Sequence, residues 1–306
     1  MSNKELLRIR TINQFHQHFG LSRPEHPLIS LVDYSSIQLA PKGETLTWAL
    51  DFYSISIKRA VNAKFKYGQQ AYDFDEGVMF FIAPGQIMSV TIERDETEKH
   101  SGWLLLIHPD FLWNTPLGKF IKRYDYFSYS INEALFLSDK EEAIVENIVQ
   151  NIKQEYHSNI DKFSQNIIIS QIETLLNYSD RFYQRQFITR KVTNHQILVR
   201  LEEILNDHFS DDKAIETGLP TVLSVAEKLN TSPGYLSDLL KHITGRTTQQ
   251  HIHDKLIEKA KEKLSTTGRS ISEIAFELGF EHPQSFSKLF KAKTHLSPVQ
   301  FRQSFN

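Results

Sequence analysis

The stretch Ser270-Ile-Ser-Glu-Ile-Ala275-Phe-Glu-Leu278-Gly279-Phe280, continuing as Glu281-His282-Pro283-Gln284-Ser285-Phe286-Ser287-Lys288-Leu289-Phe290-Lys291, decides how the chain is read. Ser270-x-x-Glu273 has the spacing of a capping box, which opens a helix. Ile271, Ile274, Ala275 and Leu278 then supply an apolar face, and Gly279 suits the left-handed residue that closes it. Pro283 fits the first turn of a second helix, where its missing N–H has no helical partner. Two helices crossing steeply over a short turn approach closely only where a side chain at the crossing is small, the part expected of Ala275. On the second helix the spacing points Phe286, Leu289 and Phe290 inward. Gln284, Ser285, Lys288 and Lys291 are left on the outer face. A face of that chemistry can enter a major groove: Gln can bond the adenine edge, Lys can reach guanine acceptors or phosphate, and Ser can contact either.

The same unit occurs twice. Thr221-Val-Leu-Ser-Val-Ala226-Glu-Lys-Leu229 aligns with Ser270 to Leu278 at an offset of 49 residues, and Tyr235 to Lys241 aligns with Ser285 to Lys291 at an offset of 50. Ala226 and Pro233 repeat the roles of Ala275 and Pro283, and Thr244-Gly245-Arg246-Thr247 repeats as Thr294-His295-Leu296-Ser297. A bare helix-turn-helix pattern is common in all-α proteins, but a duplicated one is a repeated supersecondary unit. Between the copies, Thr248 to Leu264 (TQQHIHDKLIEKAKEKL) holds no Gly or Pro. It predicts a helix of about 17 residues, about 25 Å long. Such a spacer suits two recognition helices about one DNA turn, near 34 Å, apart. Nine Lys and three Arg against two Asp and six Glu give residues 220–306 a formal charge of +4, which leaves −6 for the rest. A basic module on an acidic carrier suits a polyanionic partner.

Upstream the texture differs. Between Leu28 and Phe127, bursts rich in aromatic and β-branched residues (LISLVDY, FYSISIKR, GVMFFIAPGQ, IMSVTIER, WLLLIHPDF) are separated by turn formers such as Pro41-Lys42-Gly43 and Pro84-Gly85. They predict strands, with Met88, Val90 and Ile92 facing inward and Ser89, Thr91 and Glu93 outward. Short strands without intervening helices favour a small barrel or sandwich. The three Trp, at 48, 103 and 113, all fall in this half and read as core or turn-lining aromatics. From Ser138 the period becomes helical: Ile144, Ile148 and Ile152, then, after Asn159-Ile160-Asp161, Ile168, Ile172, Leu175 and Phe182. Two adjacent amphipathic helices need a partner surface, either the barrel or the same pair from a second subunit. Residues 184–193 (QRQFITRKVT), polar and basic, form the candidate linker.

Composition bounds the rest. At 306 residues with 40% hydrophobic, 24% charged, 12 Gly and 10 Pro, the chain is globular, of two or three domains, and neither fibrous nor disordered. Its formal charge of −2 sets it apart from the strongly basic proteins that coat nucleic acid without selectivity. Absence of Cys excludes disulfides, thiolate metal sites, iron–sulfur clusters and a cysteine nucleophile, and fits a reducing cytosol. Charges and Gln/His occupy the amino terminus where a secretory signal would need an apolar core, and no apolar run approaches the roughly 20 residues that span a bilayer. The sequence therefore predicts a soluble, cytoplasmic protein.

Residues 271–302 (ISEIAFELGFEHPQSFSKLFKAKTHLSPVQFR) closely resemble the C-terminal signature of AraC/XylS-family transcription regulators. Ile274-Ala275, Leu278-Gly279-Phe280, Phe286, Phe290-Lys291, Ser297-Pro298 and Phe301-Arg302 carry the likeness, which extends back to about His195. The GVMFFIAPGQ region looks like the cupin-like sensing or dimerisation domain of many members. The resemblance implies an α+β multidomain architecture: a small cupin-like β-barrel over 1–137, dimerising amphipathic helices and linker over 138–193, and an all-α double helix-turn-helix domain over 194–306. It implies a sequence-specific, ligand-responsive activator acting as a homodimer on double-stranded promoter DNA, with RNA polymerase as partner and a small molecule as effector.

DNA contacts carry over to Ser232, Gly234, Tyr235, Ser237, Asp238 and Lys241 in the first unit, and to His282, Gln284, Ser285, Lys288 and Lys291 in the second. Asp238 stands where many members have Arg, and Gly234 has no side chain to read with. The second unit is thus expected to supply most of the specificity, while Lys241 and its helix's amino end hold the backbone. His295 replaces the Gly usual at its turn. Two other readings are a ligand-independent DNA-bridging regulator and a cupin enzyme fused to a DNA-binding tail. No enzyme is expected. His251 and His253 point about 200° apart on a helix, His16-x-His18 lies in helical sequence, and His100 and His108 lack the His-x-His plus Glu of metal cupins. There is no P-loop, dinucleotide fingerprint or nucleophile elbow. No metal, cofactor or catalytic residue is expected, and lack of Cys excludes the alkyl-transfer repair enzymes that share this module.

Overall fold

The apolar run Trp103 to Ile107 is buried throughout, as a strand covered on both faces must be. The computed structural model describes residues 6–38, 45–60, 65–67, 70–72, 77–91, 100–130, 133–158, 161, 163–189, 191–209 and 213–304. The expected turn at Pro41-Lys42-Gly43, the strand positions Ile92 and Glu93, and Asn159-Ile160 lie outside these residues. The chain divides into two compact units, Met1–Gln186 and Phe187–Asn306.

The first unit begins with β1 (Leu7–Ile9), α1 (Ile12–His18), β2 (Ile29–Asp33), β3 (Thr45–Leu50), β4 (Tyr53–Ala60), β5 (Phe65–Tyr67) and β6 (Gln70–Tyr72). There follow β7 (Val78–Ile82), β8 (Ile87–Thr91), β9 (His100–Ile107), α2 (Pro116–Phe120), β10 (Leu135–Phe136), α3 (Asp139–Tyr156) and α4 (Ser164–Thr189). β4 sits at the centre of a five-stranded antiparallel sheet ordered β10-β7-β4-β9-β2, with Ile55 opposite Leu105 on β9 and Phe81 on β7. A second sheet, β1-β3-β8, pairs β1 parallel to β3, and β5 and β6 form a two-stranded ribbon. Each burst read from the sequence contains a strand; β1, β3, β5, β6 and β10 are additional. Met88 is buried and Ser89 exposed, as expected for those two positions of β8, and the side chains of Val90 and Thr91 lie outside those described.

Leu104 and Leu106 of β9 join Val32, Leu50 and Phe52 in a core closed by Ile12 and Phe15 of α1. Within that core the buried His16 bonds Ser30 Oγ through Nε2 at 2.9 Å. Ile168, Ile172, Leu175 and Phe182 are buried along α4 as the helical period predicts; along α3 Ile148 and Ile152 are buried, while Ile144 is half-buried and Val145 beside it is buried. Gln186, fully buried, accepts from Phe136 N–H at 2.9 Å and donates to Ala134 O at 3.2 Å, fastening α4 to the edge strand β10.

The second unit is all-helical. Residues 184–189 continue α4, and Lys191 already begins α5 (Lys191–His208), so most of the stretch expected as a linker is helix. Then come α6 (Lys213–Thr217), α7 (Val222–Lys228), α8 (Pro233–Thr244), α9 (Thr248–Thr266), α10 (Ile271–Glu277), α11 (Pro283–Thr294) and α12 (Pro298–Gln303). Two cores lie along α9. Ile252 closes the first, with Val225, Ala226, Leu236 and Leu240, against Leu201 and Leu205 of α5. Leu256, Ile257, Ala260 and Leu264 face Ile274, Ala275, Phe286 and Phe290 in the second, to which α6 adds Ala214. Phe286 and Phe290 are fully buried, each contributing about 1.5–3 kcal/mol. Among the described residues, no helix is long and apolar enough to cross a membrane.

Candidate nucleic-acid interface

Both helix pairs are built by the same local chemistry. Thr221 and Ser270 cap α7 and α10, each accepting from the backbone N–H three residues on, with Ser224 and Glu273 completing the capping boxes. Ala226 and Ala275 are wholly buried at the crossings. Thr231 N–H donates to Ala226 O and Phe280 N–H to Ala275 O, both at 3.0 Å, and Asn230 (φ 55°) and Gly279 (φ 89°) hold the left-handed position between. Ser232 and His282 then sit at the N-caps of α8 and α11. Glu281, between Phe280 and His282, is thus the extra residue that changes the repeat offset from 49 to 50.

The two second helices present different outer faces. On α11, His282, Gln284, Ser285, Lys288 and Lys291 are all exposed. Positions 284, 288 and 291 follow i, i+4, i+7 and form one stripe, with Ser285 beside it. Lys288 and Lys291 make no ion pair among the described residues, and Pro283–Thr294 contains three Lys and no acid. On α8, the i, i+4, i+7 stripe is Gly234, Asp238 and Lys241, of which Lys241 is exposed and the other two are half-buried.

Of the residues expected to contact DNA, Ser232 and Tyr235 are buried and Ser237 is half-buried. Ser232 Oγ is buried and accepts from Tyr235 N–H at 3.2 Å, as a helix cap. Tyr235 is 7% exposed and meets the Phe187 ring edge-on at 5.3 Å. Ser285, its counterpart in the repeat, is exposed. Ser237 Oγ lies 3.1 Å from Oγ1 of the wholly buried Thr248, joining α8 to the start of α9. Sequence reasoning also passed over Arg246, Asp254 and Lys293. Arg246 Nη1 donates to Asp254 Oδ2 at 2.9 Å and Lys293 Nζ to Asp254 Oδ1 at 3.2 Å. Their signal was weak, since Arg246 aligns with Leu296 and the repeat offers Asp254 no equivalent.

Burial depresses the pKa of His251 and His253 on α9; Arg246 adds to the effect at the first and Lys293 at the second, and Asp254 opposes it at both. His251 Nε2 lies 2.8 Å from Thr244 Oγ1, and His253 Nε2 lies 2.8 Å from Gln249 Nε2. Desolvation raises the Glu277 carboxyl, but its contacts with Lys263 and Arg269 outweigh this and hold it below the usual range.

Residues 225–304 match the family described as a helix-turn-helix domain. Over 116 residues the chain is 31% identical to an uncharacterized HTH-type transcriptional regulator in the cgkA 5' region of Pseudoalteromonas carrageenovora, covering 38% of this chain and 64% of that one. Over 121 residues it is 31% identical to the HTH-type transcriptional activator RhaS of Salmonella newport, covering 39% of this chain and 41% of that one. The chain thus spans less than two thirds of the length of these relatives. Among solved structures it is similar to the C-terminal domain of AraT, a response regulator from Geobacillus stearothermophilus, at 35% identity and a TM-score of 0.31, covering 35% of this chain and 84% of that one. The chain thus joins a β-sheet unit to a helical unit with a duplicated helix-turn-helix. These likenesses fall on the C-terminal part of the chain, where the helix-turn-helix match spans residues 225–304.

Proposed function

We propose that the protein is a sequence-specific DNA-binding transcription regulator in which α11 supplies most of the base readout and α8 chiefly holds the backbone. The contrast between these helices carries the reading. Gln284, Ser285 and Lys288 offer base-edge donors and acceptors from an exposed stripe, with Lys291 beside them for phosphate. α8 offers Lys241 and its amino end, while Asp238 opposes phosphate and the Ser237 hydroxyl is engaged by Thr248.

Binding of the full-length protein to DNA upstream of its own and neighbouring genes, at two salt concentrations with nonspecific competitor, tests this. Competitor-resistant binding is expected, with a salt slope equivalent to a few phosphates. Lys288→Ala should weaken specific binding by about 1–3 kcal/mol, Lys291→Ala should lower the salt slope by about 1, and Ser237→Ala should change affinity less than Lys288→Ala. Binding that competitor removes at every site would defeat sequence-specific recognition. Loss of binding in Ser237→Ala with none in Lys288→Ala would defeat the assignment of roles.

The remaining assignments belong to the same proposal. Residues 1–137 act as a cupin-like barrel sensing a small molecule, 138–193 as dimerisation helices and linker, and 194–306 as the promoter-binding domain of a cytoplasmic activator that contacts RNA polymerase. The β4-centred sheet, buried on both faces, and the long amphipathic α3 and α4 support this division. An effector would act only through a difference in affinity between two arrangements of the protein. Sedimentation of the full-length protein measures the dimer, and a monomer at micromolar concentration would remove it.

A further inference from the structure

We infer that Asp254 is a positioning residue that sets the spacing between the two recognition helices, holding one cation from each helix-turn-helix unit on the two oxygens of a single carboxylate. This rests on the reading of α8 and α11 as the DNA-contacting helices.

The position of Asp254 along α9 is the first ground. Ile252 belongs to the first core and Leu256 to the second, so Asp254 stands where one core ends and the next begins. Among the described residues the two cores are separate hydrophobic clusters, joined by α9 and by α5, whose Leu201 and Leu205 lie in the first core while Phe209, directly after α5, lies in the second; the polar contacts beside α9 act at that junction. The second ground is the pairing. Arg246, in the loop leaving α8, donates to Oδ2 at 2.9 Å, and Lys293, in the last turn of α11, donates to Oδ1 at 3.2 Å. These partners lie 8 and 39 residues away in sequence and belong to different repeats. The third is exposure. The Asp254 and Lys293 side chains are 36% and 31% exposed and Arg246 is 61% exposed, so the carboxylate is partly withdrawn from water and its pair with Lys293 is screened less than its pair with Arg246. Because both pairs share one carboxylate, its removal frees both units at once, and neither core loses a side chain.

Such a clasp bears on DNA recognition. Two readers joined by a stiff element bind well only where their sub-sites have the matching separation, as half-site spacing follows from docking geometry. Loosening the junction broadens the separations accepted and leaves each sub-site's sequence preference intact.

Selection of random-sequence duplex DNA by the full-length protein, followed by sequencing of the bound pool, reads both properties without a known operator. The wild type is expected to enrich a strong sub-motif read by α11 and a weaker one at α8, at one separation. Asp254→Ala is expected to enrich the same two sub-motifs with the share at other separations raised about threefold or more, and Asp254→Glu to restore the single separation. Thermal unfolding of Asp254→Ala close to that of the wild type shows that the domain is intact; should it be unstable, the isosteric Asp254→Asn takes its place. Identical separation profiles for wild type and Asp254→Ala overturn the clasp and leave the DNA-binding reading standing. Failure of the wild type to enrich any motif overturns the DNA-binding reading, and the clasp with it.

Discussion

Gly279 and His295 hold the same kind of backbone, left-handed at φ 89° and 62°, and their surroundings give substitution opposite signs. A Cβ at Gly279 would lie 2.7 Å from the carbonyl carbon of Gly218 and 2.8 Å from Ala214 O, backbone atoms that cannot swing aside. Gly279→Ala is therefore expected to destabilise the C-terminal unit by about 2–4 kcal/mol, combining left-handed strain with a steric clash. A change in chemical denaturation below about 0.5 kcal/mol would show that the turn relaxes freely. His295 closes α11 through its N–H to Lys291 O at 2.9 Å and is exposed, so only its own Cβ strain is at stake. His295→Gly is expected to stabilise by about 0.5 kcal/mol, the relief of strain being partly offset by a freer unfolded chain. The small and left-handed residues at this scale were legible in the sequence, because they are marked by residue type. The inward turn of Tyr235 was not, because its burial depends on Phe187, 48 positions away.

At the scale of elements, α9 does more than separate two units. Its buried stripe serves both cores, and its half-buried His251 and His253 titrate below the ordinary histidine value, chiefly through desolvation. The unfolded chain binds these protons more readily than the folded one. Their neutral forms therefore favour folding fully above the unfolded value, near 6.5, and that stability is lost as pH falls through the lower folded values. The urea midpoint is expected to drop between pH 7.5 and 5.5, and to drop less in the His251→Gln, His253→Gln double variant. Equal drops in the two proteins would place the proton uptake elsewhere. The helical period placed α9 between Thr248 and Leu264, and it runs to Thr266. The strand bursts were equally readable, since alternation and β-branched composition are local. The partners of those strands were not. The parallel pairing of β1 with β3, and the order β10-β7-β4-β9-β2, join segments far apart in sequence that no local pattern names.

For the whole molecule, the division after Gln186 gives Phe187–Asn306 its own two cores, including α5 and α6, which the repeat alone did not claim for it. A fragment of these residues is expected to unfold in one cooperative transition by calorimetry and to enrich the same DNA sub-motifs as the full chain. An unfolded fragment, or one with a different motif, would show that the first unit is needed to build the reader. The duplicated helix pair, its small crossing residues, its caps, the exposed lysine stripe of α11 and the strand-rich first half were all legible in the amino-acid sequence. Each of these is written in residue type and spacing within one or two turns of chain. Packing alone brings Thr248 to Ser237, makes Tyr235 a core residue and gathers a cation from each repeat on Asp254. Those outcomes depend on which surfaces meet when distant segments pack, and burial of apolar area sets that meeting without leaving a periodic mark on the residues it covers.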